Sequence, residues 1–206
     1  MAAAYSALVN YGLLVEPTLV KRILDTEGQP LFAHEAKIRQ AIAPDLAAQM
    51  VHLLRQAIDR GTGRQVRNLG FKRPAAGKTG TTNENTDAWF TGFTPDMVAS
   101  VWIGFDDRRD HRLVDLQGRQ ITGGSGAAPI WTDFMMTVNT KRPWRDFANN
   151  DNLRLHRLHP LTGIEAHASD GSGIAPFIVA LCRDEHLNST QSLDSLTTQR
   201  TTSGHE

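Results

Sequence analysis

The sequence has a single cysteine, Cys182, among its 206 residues, which excludes an internal disulfide and any metal site made of several cysteines. It has no excess of charge, because 22 Lys and Arg balance 22 Asp and Glu. A net field that would attract nucleic acid or an anionic membrane is therefore absent. It also has no apolar run close to the about 20 residues of a membrane span, and its first residues lack the basic start of a signal peptide. We expect a soluble chain with no export signal, no membrane contact and no bound nucleic acid.

The composition is typical of a folded domain with a polar extension. Hydrophobic residues make up 40% of the chain, which is slightly below the about 45–50% of an average globular domain. At about 150 residues per domain, the length predicts one domain and an added segment. Ser, Thr and Gln dominate the end of the chain, so we expect a folded domain over residues 1–181 and a polar, disordered tail over residues 182–206.

Hydrophobic spacing predicts two helices and a hairpin in the first third of the chain. Residues 1–9 have helical spacing from the start, so we expect the sequence to open inside a helix and to be part of a longer protein. Residues 19–32 predict a hairpin with Gly28 in its turn. Residues 44–60 carry an apolar stripe that begins at a proline and stops before a glycine, which predicts an amphipathic helix.

The middle of the chain predicts a sheet followed by a helix. The strand-forming segments are residues 75–82, 87–93 and 97–105. Thr94-Pro-Asp96 predicts a tight turn between the last two, which should therefore pair antiparallel. Residues 127–139 have helical spacing with Ser125 as a candidate N-cap, and residues 174–181 predict one more strand. These elements predict an α/β fold of the α+β type, in which helices cover an antiparallel sheet.

The segment Gly77-Lys78-Thr79 matches the end of a phosphate-binding loop, so a nucleotide-binding protein is one alternative. The rest of that motif is missing, because Lys72 stands where the loop requires its first glycine. A helix should also begin at the lysine, whereas the sequence Thr-Gly-Thr-Thr that follows favours a strand. Nucleotide binding is therefore the remote alternative.

As part of a strand, the same segment has a different chemistry. Thr79 and Thr81 would share one face, while Lys78 and Gly80 would point to the other. Two hydroxyls on one face can hold a carboxylate. An edge strand also offers backbone groups to an extended peptide, and one such N–H can stabilise an oxyanion. By itself the segment predicts either an acyl-transfer site or a lysine-threonine strand that is exposed without a function. We expect no metal and no cofactor.

This segment belongs to an ordered series of motifs. Lys78-Thr-Gly-Thr-Thr-Asn83 is followed by Asp87-Ala-Trp-Phe-Thr-Gly92, Val101-Trp-Ile-Gly-Phe-Asp106 and Gly123-Gly-Ser-Gly-Ala-Ala-Pro-Ile-Trp131, and is preceded by Val15-Glu-Pro17, Asp25-Thr-Glu-Gly28 and Gly61-Thr-Gly63. In this order the motifs resemble the C-terminal portion of the transpeptidase domain of the bifunctional class A penicillin-binding proteins, a partial penicillin-binding and β-lactamase-like fold. The resemblance is close over residues 1–140 and faint over residues 141–181.

The resemblance implies a role for each residue of the strand. Lys78 would be the catalytic residue, supplying positive charge and a place in the proton network. The hydroxyls of Thr79 and Thr81 would hold the terminal carboxylate of the substrate. Gly80 would keep the strand slim, and the N–H of Thr81 would form half of an oxyanion hole. The family also uses a Ser-x-x-Lys motif, which carries the nucleophile, and a Ser-x-Asn motif. Neither occurs in the sequence, so we expect them before Met1 or absent, and we expect the chain alone to be inactive.

The resemblance also implies the function of the whole enzyme. It would be a peptidoglycan D-Ala-D-Ala transpeptidase that cross-links stem peptides in the bacterial cell wall. Its partners would be the stem peptide, β-lactam antibiotics and the preceding part of the same enzyme. It would be periplasmic, held at the cytoplasmic membrane by an anchor outside this chain. The alternative is a non-catalytic module, derived from this fold, that binds a peptide or a protein partner.

Some further residues suggest other sites on first inspection. Gly123-Gly-Ser125-Gly-Ala127 misses the Gly-x-Ser-x-Gly motif of hydrolases, because its fifth residue is alanine. His156, His159 and His167 lack the glutamate of a zinc-binding helix. We expect capping or solvated roles for these residues, and a solvated loop for the mixed charges of residues 106–112.

Overall fold

The computed structural model describes residues 1–107, 111–159, 162, 164–165 and 177–182. Met1–Asp151 and Asn152–Glu206 form two compact units, which are described separately. Apart from Cys182, which ends a strand, the predicted disordered tail lies outside the described residues. None of the helices in the described part of the chain is long and apolar enough to span a bilayer.

The first unit combines helices with antiparallel strands. Its helices are α1 (Ala2–Val9), α2 (Pro44–Asp59), α3 (Gln65–Asn68) and α4 (Ala128–Asn139), and a π-helical turn (Gly123–Ala127) precedes α4. Its strands are β1 (Leu13–Val15), β2 (Arg22–Leu24), β3 (Pro30–Ala33), β4 (Ile38–Gln40), β5 (Ala76–Thr81), β6 (Asp87–Thr94) and β7 (Met97–Gly104). β1 pairs with β4, β2 pairs with β3, and the remaining three form a sheet in the order β5-β6-β7, with every pair antiparallel. The predicted fold class is confirmed.

Helix α2 forms where its apolar stripe predicts it. Its proline lies in the first turn, where a missing N–H costs no hydrogen bond. Its buried side chains recur at the spacing of one helix face; they are Ala47, Val51, Leu54 and Ile58. That face covers both core clusters of the unit, because Ile58 belongs to one and Val51 and Leu54 to the other.

One face of the sheet packs on α4 through aromatic rings. The side chains of Phe90 and Trp131 are fully buried, and their ring centroids lie 5.2 Å apart in an edge-to-face arrangement. Phe71 contacts the same indole at 5.5 Å. The indole N–H of Trp131 donates to the carbonyl of Gly92 at 3.1 Å, so the one polar group of this buried ring has a partner.

The opposite face of the sheet packs on α1 and α2. Phe93 lies between the rings of Tyr5 and Phe147, at centroid distances of 6.2 and 5.7 Å. Val51 and Leu54 of α2 complete this cluster. Alternation along β6 therefore sends Phe90 to one core and Phe93 to the other. Around Thr91 and Trp89, the same face of the sheet borders a cavity, which is described below.

The connection from α1 to β1 depends on a backbone contact at Gly12. Gly12 has a positive φ of 84° and its N–H donates to the carbonyl of Ala7 at 2.7 Å. Its own carbonyl accepts the N–H of Ala41 at 2.8 Å, which brings β1 alongside β4. A Cβ at this position would lie 2.0 Å from the carbonyl oxygen of Ile42, a backbone atom that cannot move aside by side-chain rotation.

Gly12→Ala is expected to destabilise the protein by about 3 kcal/mol or more, because a strained φ and a backbone clash add together. Gly28→Ala is the matched control: its φ is 82° but no atom lies within 4 Å of a Cβ built there, so only the strain of about 1–2 kcal/mol remains. Thermal unfolding followed by tryptophan fluorescence compares the two variants. Equal losses would mean that the contact with Ile42 is unimportant.

The predicted hairpin is confirmed, with shorter strands than expected. β2 begins at Arg22 and not at Leu19, and β2 pairs with β3 around a turn that contains Gly28. The carboxylate of Asp25 accepts the N–H groups of Glu27 and Gln29 at 2.9 and 2.8 Å, which stabilises the turn. The pairing of β1 with β4 was not predicted, because each strand is only three residues long.

Ser125 is not the N-cap of the helix that follows it. The cap of the π-turn is Thr122, whose hydroxyl accepts the N–H of Ser125 at 3.2 Å. The hydroxyl of Ser125 in turn accepts the N–H of Thr122 at 2.9 Å, so the two residues form a reciprocal capping box. The predicted position was wrong by three residues, because a π-turn precedes α4 and moves the first free N–H groups toward the N-terminus.

In the second unit, β8 (Leu153–Leu158) pairs antiparallel with β9 (Phe177–Cys182). β9 agrees with the strand predicted near residues 174–181, whose first three residues lie outside the described part of the chain. β8 was not predicted. His156 lies on β8 with its Nδ1 atom 3.1 Å from a carboxylate oxygen of Glu165.

Candidate active site

Strand β5 carries the predicted site residues, and in the described part of the chain it has a paired strand on one side only. The N–H of Thr82 donates to the carbonyl of Asp87 at 3.2 Å. In an antiparallel pair the residues that face the partner alternate with those that face away. The N–H and C=O groups of Thr79 and Thr81 therefore point away from β6, along the edge of the sheet.

The two threonine side chains of β5 lie on one face, and each has a partner from a distant segment. The hydroxyl oxygen of Thr79 lies 2.6 Å from that of Thr62, in the turn that follows α2. The hydroxyl oxygen of Thr81 accepts the N–H of Gly123 at 3.0 Å. Both hydroxyls are thus held by the fold at the edge where the backbone groups of β5 are exposed.

Lys78 is exposed, and its side chain bends to the same edge. Its ammonium donates to the carbonyl of Thr79 at 3.0 Å and lies 3.4 Å from the hydroxyl oxygen of the same residue. The structure therefore brings together a positive charge, two hydroxyls and two outward N–H groups within four consecutive residues. Gly80 lies between the two threonines, and a Cβ there would lie 3.2 Å from Cβ of Trp89 on β6.

An open cavity of about 340 Å³ adjoins this strand. Its lining comes from β5, from β6 and from the start of α1, and consists of Met1, Tyr5, Lys78, Thr79, Gly80, Thr81, Thr82, Trp89 and Thr91. Burial raises the pKa of the Tyr5 phenol above its ordinary value. The cavity extends the predicted site from a strand edge to a concave surface with hydroxyl, ammonium and aromatic groups.

From the cavity lining, polar groups continue across the sheet. Thr91 pairs with Lys78 on one side and with Ser100 on the other. The hydroxyl oxygens of Thr91 and Ser100 are 2.9 Å apart, and Thr91 is buried. Further along the same two strands, the indole N–H of Trp102 on β7 donates to the carboxylate of Asp87 on β6 at 2.9 Å. These hydrogen bonds give partners to the polar side chains on this face of the sheet. Hydrophobic spacing in the sequence does not show that this face is polar.

Sequence reasoning missed the groups that hold the two threonine hydroxyls. Thr62 and Gly123 lie 17 and 42 residues from their partners along the chain. Both belong to motifs of the ordered series, Gly61-Thr-Gly63 and the glycine-rich segment that begins at Gly123. The sequence therefore shows both motifs, but their contacts with β5 depend on the tertiary structure.

The order of motifs agrees with a known protein family. The family described as the penicillin binding protein transpeptidase domain matches residues 1–134. That is well over half of the chain, and it includes β5, the turn around Thr62 and the π-turn. The chain belongs to the penicillin-binding protein transpeptidase family. The predicted family is confirmed, and relatives named penicillin-binding proteins 1A and 1B agree with its class A group.

The transpeptidase relatives are much longer than this chain. Penicillin-binding protein 1A of Neisseria lactamica is 38% identical over 159 residues, which are 74% of this chain and 19% of the relative. A crystal structure of penicillin-binding protein 1A from Haemophilus influenzae has a TM-score of 0.70 at 25% identity, covering 86% of this chain and 31% of that one. PonA1 from Mycobacterium tuberculosis, in complex with penicillin V, has a TM-score of 0.62 at 29% identity, covering 71% and 39%. The match thus spans less than a fifth of the length of the Neisseria lactamica protein.

The other candidate groups have local partners. Ser125 takes part in the capping box of the π-turn, so its hydroxyl stabilises a turn. His156 contacts Glu165, and the backbone N–H of His159 donates to the carbonyl of Ile164 at 2.8 Å. His167 lies outside the described residues, as do the three central residues of the charge cluster, 108–110.

Proposed function

We propose that this chain supplies the Lys-Thr-Gly side of the active site of an acyl-serine D-Ala-D-Ala transpeptidase, as the C-terminal part of a longer polypeptide. The observation that carries the proposal is the edge of β5, where the Lys78 ammonium, two threonine hydroxyls and two outward N–H groups lie together. In this proposal residues 1–181 are part of the transpeptidase domain, and residues 182–206 are a polar tail.

Each group on β5 has a defined role in the proposal. The hydroxyls of Thr79 and Thr81 donate to the terminal carboxylate of the stem peptide. Lys78 adds positive charge beside that carboxylate and takes part in the network that moves the proton from the nucleophilic serine to the leaving amine and later back. The outward N–H of Thr81 stabilises the oxyanion, a role in which one donor contributes about 10²–10³ in rate. Gly80 keeps the strand narrow, so that an extended peptide can lie along the edge.

The reaction proceeds through an ester. The serine oxygen of the Ser-x-x-Lys motif bonds to the carbonyl carbon of the penultimate D-Ala, the peptide bond to the last D-Ala breaks, and the leaving amine takes a proton. An amine of a neighbouring peptidoglycan strand then attacks the ester, forms the cross-link and returns the proton to the serine. A β-lactam acylates the same serine, because its strained amide takes the place of the D-Ala-D-Ala bond. The chemistry requires no cofactor.

The nucleophile belongs to another part of the polypeptide in this proposal. No serine in the sequence has lysine three residues later or asparagine two residues later. The chain alone is therefore inactive, and its partner is the preceding segment of the same enzyme. The whole enzyme is extracytoplasmic and anchored to the membrane outside this chain.

Mass spectrometry after incubation with benzylpenicillin tests the proposal. The polypeptide encoded by the complete open reading frame is expected to gain one covalent adduct, and the 206-residue chain none, because the chain lacks the nucleophile. Peptide mapping should place the adduct on the serine of a Ser-x-x-Lys motif. An adduct that peptide mapping places on a serine of the 206-residue chain would show that the chain carries its own nucleophile.

The same experiment separates the enzyme from a binding module. A complete reading frame without a Ser-x-x-Lys motif, together with a lack of any adduct, would contradict the catalytic proposal. Binding of a D-Ala-D-Ala peptide by that polypeptide would then favour the non-catalytic module.

A further inference from the structure

Thr62 occupies a turn that the fold holds tightly. The turn closes the C-terminal end of α2 through two backbone hydrogen bonds, from Gly61 to Gln56 at 3.1 Å and from Gly63 to Ala57 at 2.9 Å. The π-turn approaches it from the other side, since a Cβ at Gly124 would lie 2.8 Å from the carbonyl oxygen of Thr62. The Thr62 hydroxyl is therefore held in position relative to β5.

The bond between Thr62 and Thr79 can run in either direction. The two hydroxyl oxygens are 2.6 Å apart, and either can donate. A carboxylate has only acceptor atoms, so Thr79 can bind one only by donating its single proton to it. While Thr79 does so, the bond to Thr62 requires Thr62 to be the donor. The Lys78 ammonium, 3.4 Å from the same oxygen, also has only protons to donate.

Thr81 shows the same pattern with a backbone donor. The N–H of Gly123 can only donate, so the oxygen of Thr81 accepts at 3.0 Å and keeps its proton for another partner. Both hydroxyls on this face of β5 thus lie against a group that can donate to them. Two hydroxyl protons that are available for donation match the two oxygens of one carboxylate.

We propose that Thr62 is a positioning residue that sets the Thr79 hydroxyl as a donor and so favours substrates that end in a free carboxylate. This inference rests on the proposed function, because it assumes that Thr79 and Thr81 bind the substrate carboxylate. In this inference Thr62 acts through the Thr79 hydroxyl. Its contribution is to orient one proton before the carboxylate arrives, which lowers the cost of reorganisation on binding.

The test uses the polypeptide of the complete reading frame and two thioester substrates. One is an acyl-D-alanyl thiolactate with a free carboxylate, and the other is its C-terminal carboxamide. Thr62→Val keeps the shape of the side chain and removes the donor, so kcat/KM for the carboxylate substrate is expected to fall about tenfold, the effect of one hydrogen bond. The loss should appear in KM, because the carboxylate is bound in both ground and transition states. The carboxamide rate should be unchanged.

Thr62→Ser restores the hydroxyl and should recover the carboxylate rate, and thermal unfolding of each variant shows whether the fold is intact. If Thr62→Val lowers kcat/KM equally for both substrates, or if Thr62→Ser does not restore kcat/KM for the carboxylate substrate, Thr62 has a structural role only and the inference is wrong. A wild-type rate in Thr62→Val would also overturn it. Failure of the wild-type polypeptide to react with either substrate would instead refute the proposed function, and the inference with it.

Discussion

Replacement of Lys78 by alanine is expected to lower the rate of acylation by benzylpenicillin by about 10²–10⁴-fold in the polypeptide of the complete reading frame. That is the range in which a positioned acid or base contributes to a reaction. The Lys78 side chain is exposed, and its ammonium lies against the carbonyl and hydroxyl of Thr79 at the edge of the strand. Its loss should therefore leave the midpoint of thermal unfolding unchanged. The acylation rate should fall, as measured by stopped-flow fluorescence or quenched-flow mass spectrometry.

One control variant and one variant of a neighbouring site residue accompany this measurement. Lys72→Ala removes another exposed lysine on the same segment but outside the cavity lining, and should acylate at the wild-type rate. Thr79→Val removes a hydroxyl of the site, and its acylation rate should be about tenfold lower, which is the effect of one hydrogen bond to the carboxylate. If Lys78→Ala acylates as fast as Lys72→Ala, the catalytic role assigned to Lys78 is wrong.

The fold could be predicted from the sequence where local signals mark both ends of an element. Pro44 fixes the start of α2 and Gly61 follows its end, so the predicted and observed helices differ by one residue. The turn Thr94-Pro-Asp96 likewise indicated the antiparallel pairing of β6 with β7, and this pairing is confirmed. β1 and β4 could not be predicted, because each has three residues and their pairing depends on backbone bonds at Gly12.

The candidate site divides in the same way. Alternation along a strand is a local property, so the common face of Thr79 and Thr81 followed from the sequence. The partners of their hydroxyls are tertiary contacts, and no periodicity indicates that Thr62 or the N–H of Gly123 lies behind them. Ser125 illustrates the limit of local rules, since a capping residue was expected near the right place but the π-turn gives that role to Thr122.

Gly123→Ala is expected to lower the acylation rate about 100-fold, the largest effect expected of any residue of this chain outside β5. A Cβ at Gly123 would lie 2.3 Å from the carbonyl oxygen of Trp89 and 2.7 Å from that of Gly80, both in the backbone of paired strands. Because neither atom can turn aside, the π-turn must move away from β5. The hydrogen bond from Gly123 to Thr81 is then lost, and the Thr81 hydroxyl and N–H shift with it. A displacement of about 1 Å is enough to cost 10²-fold in rate.

Ser125→Ala is the matched control in the same turn. It removes one side of the capping box, at a cost of about 1 kcal/mol in stability, but it leaves the contact between Gly123 and β5 in place. Thermal unfolding should thus detect Ser125→Ala, whereas acylation kinetics should separate the two variants, with Ser125→Ala close to wild type. Equal acylation rates in both variants would show that the distance between the π-turn and β5 does not control the site. A selective loss in Gly123→Ala would mean that the glycine is required there for the close approach that keeps Thr81 at the edge of the strand.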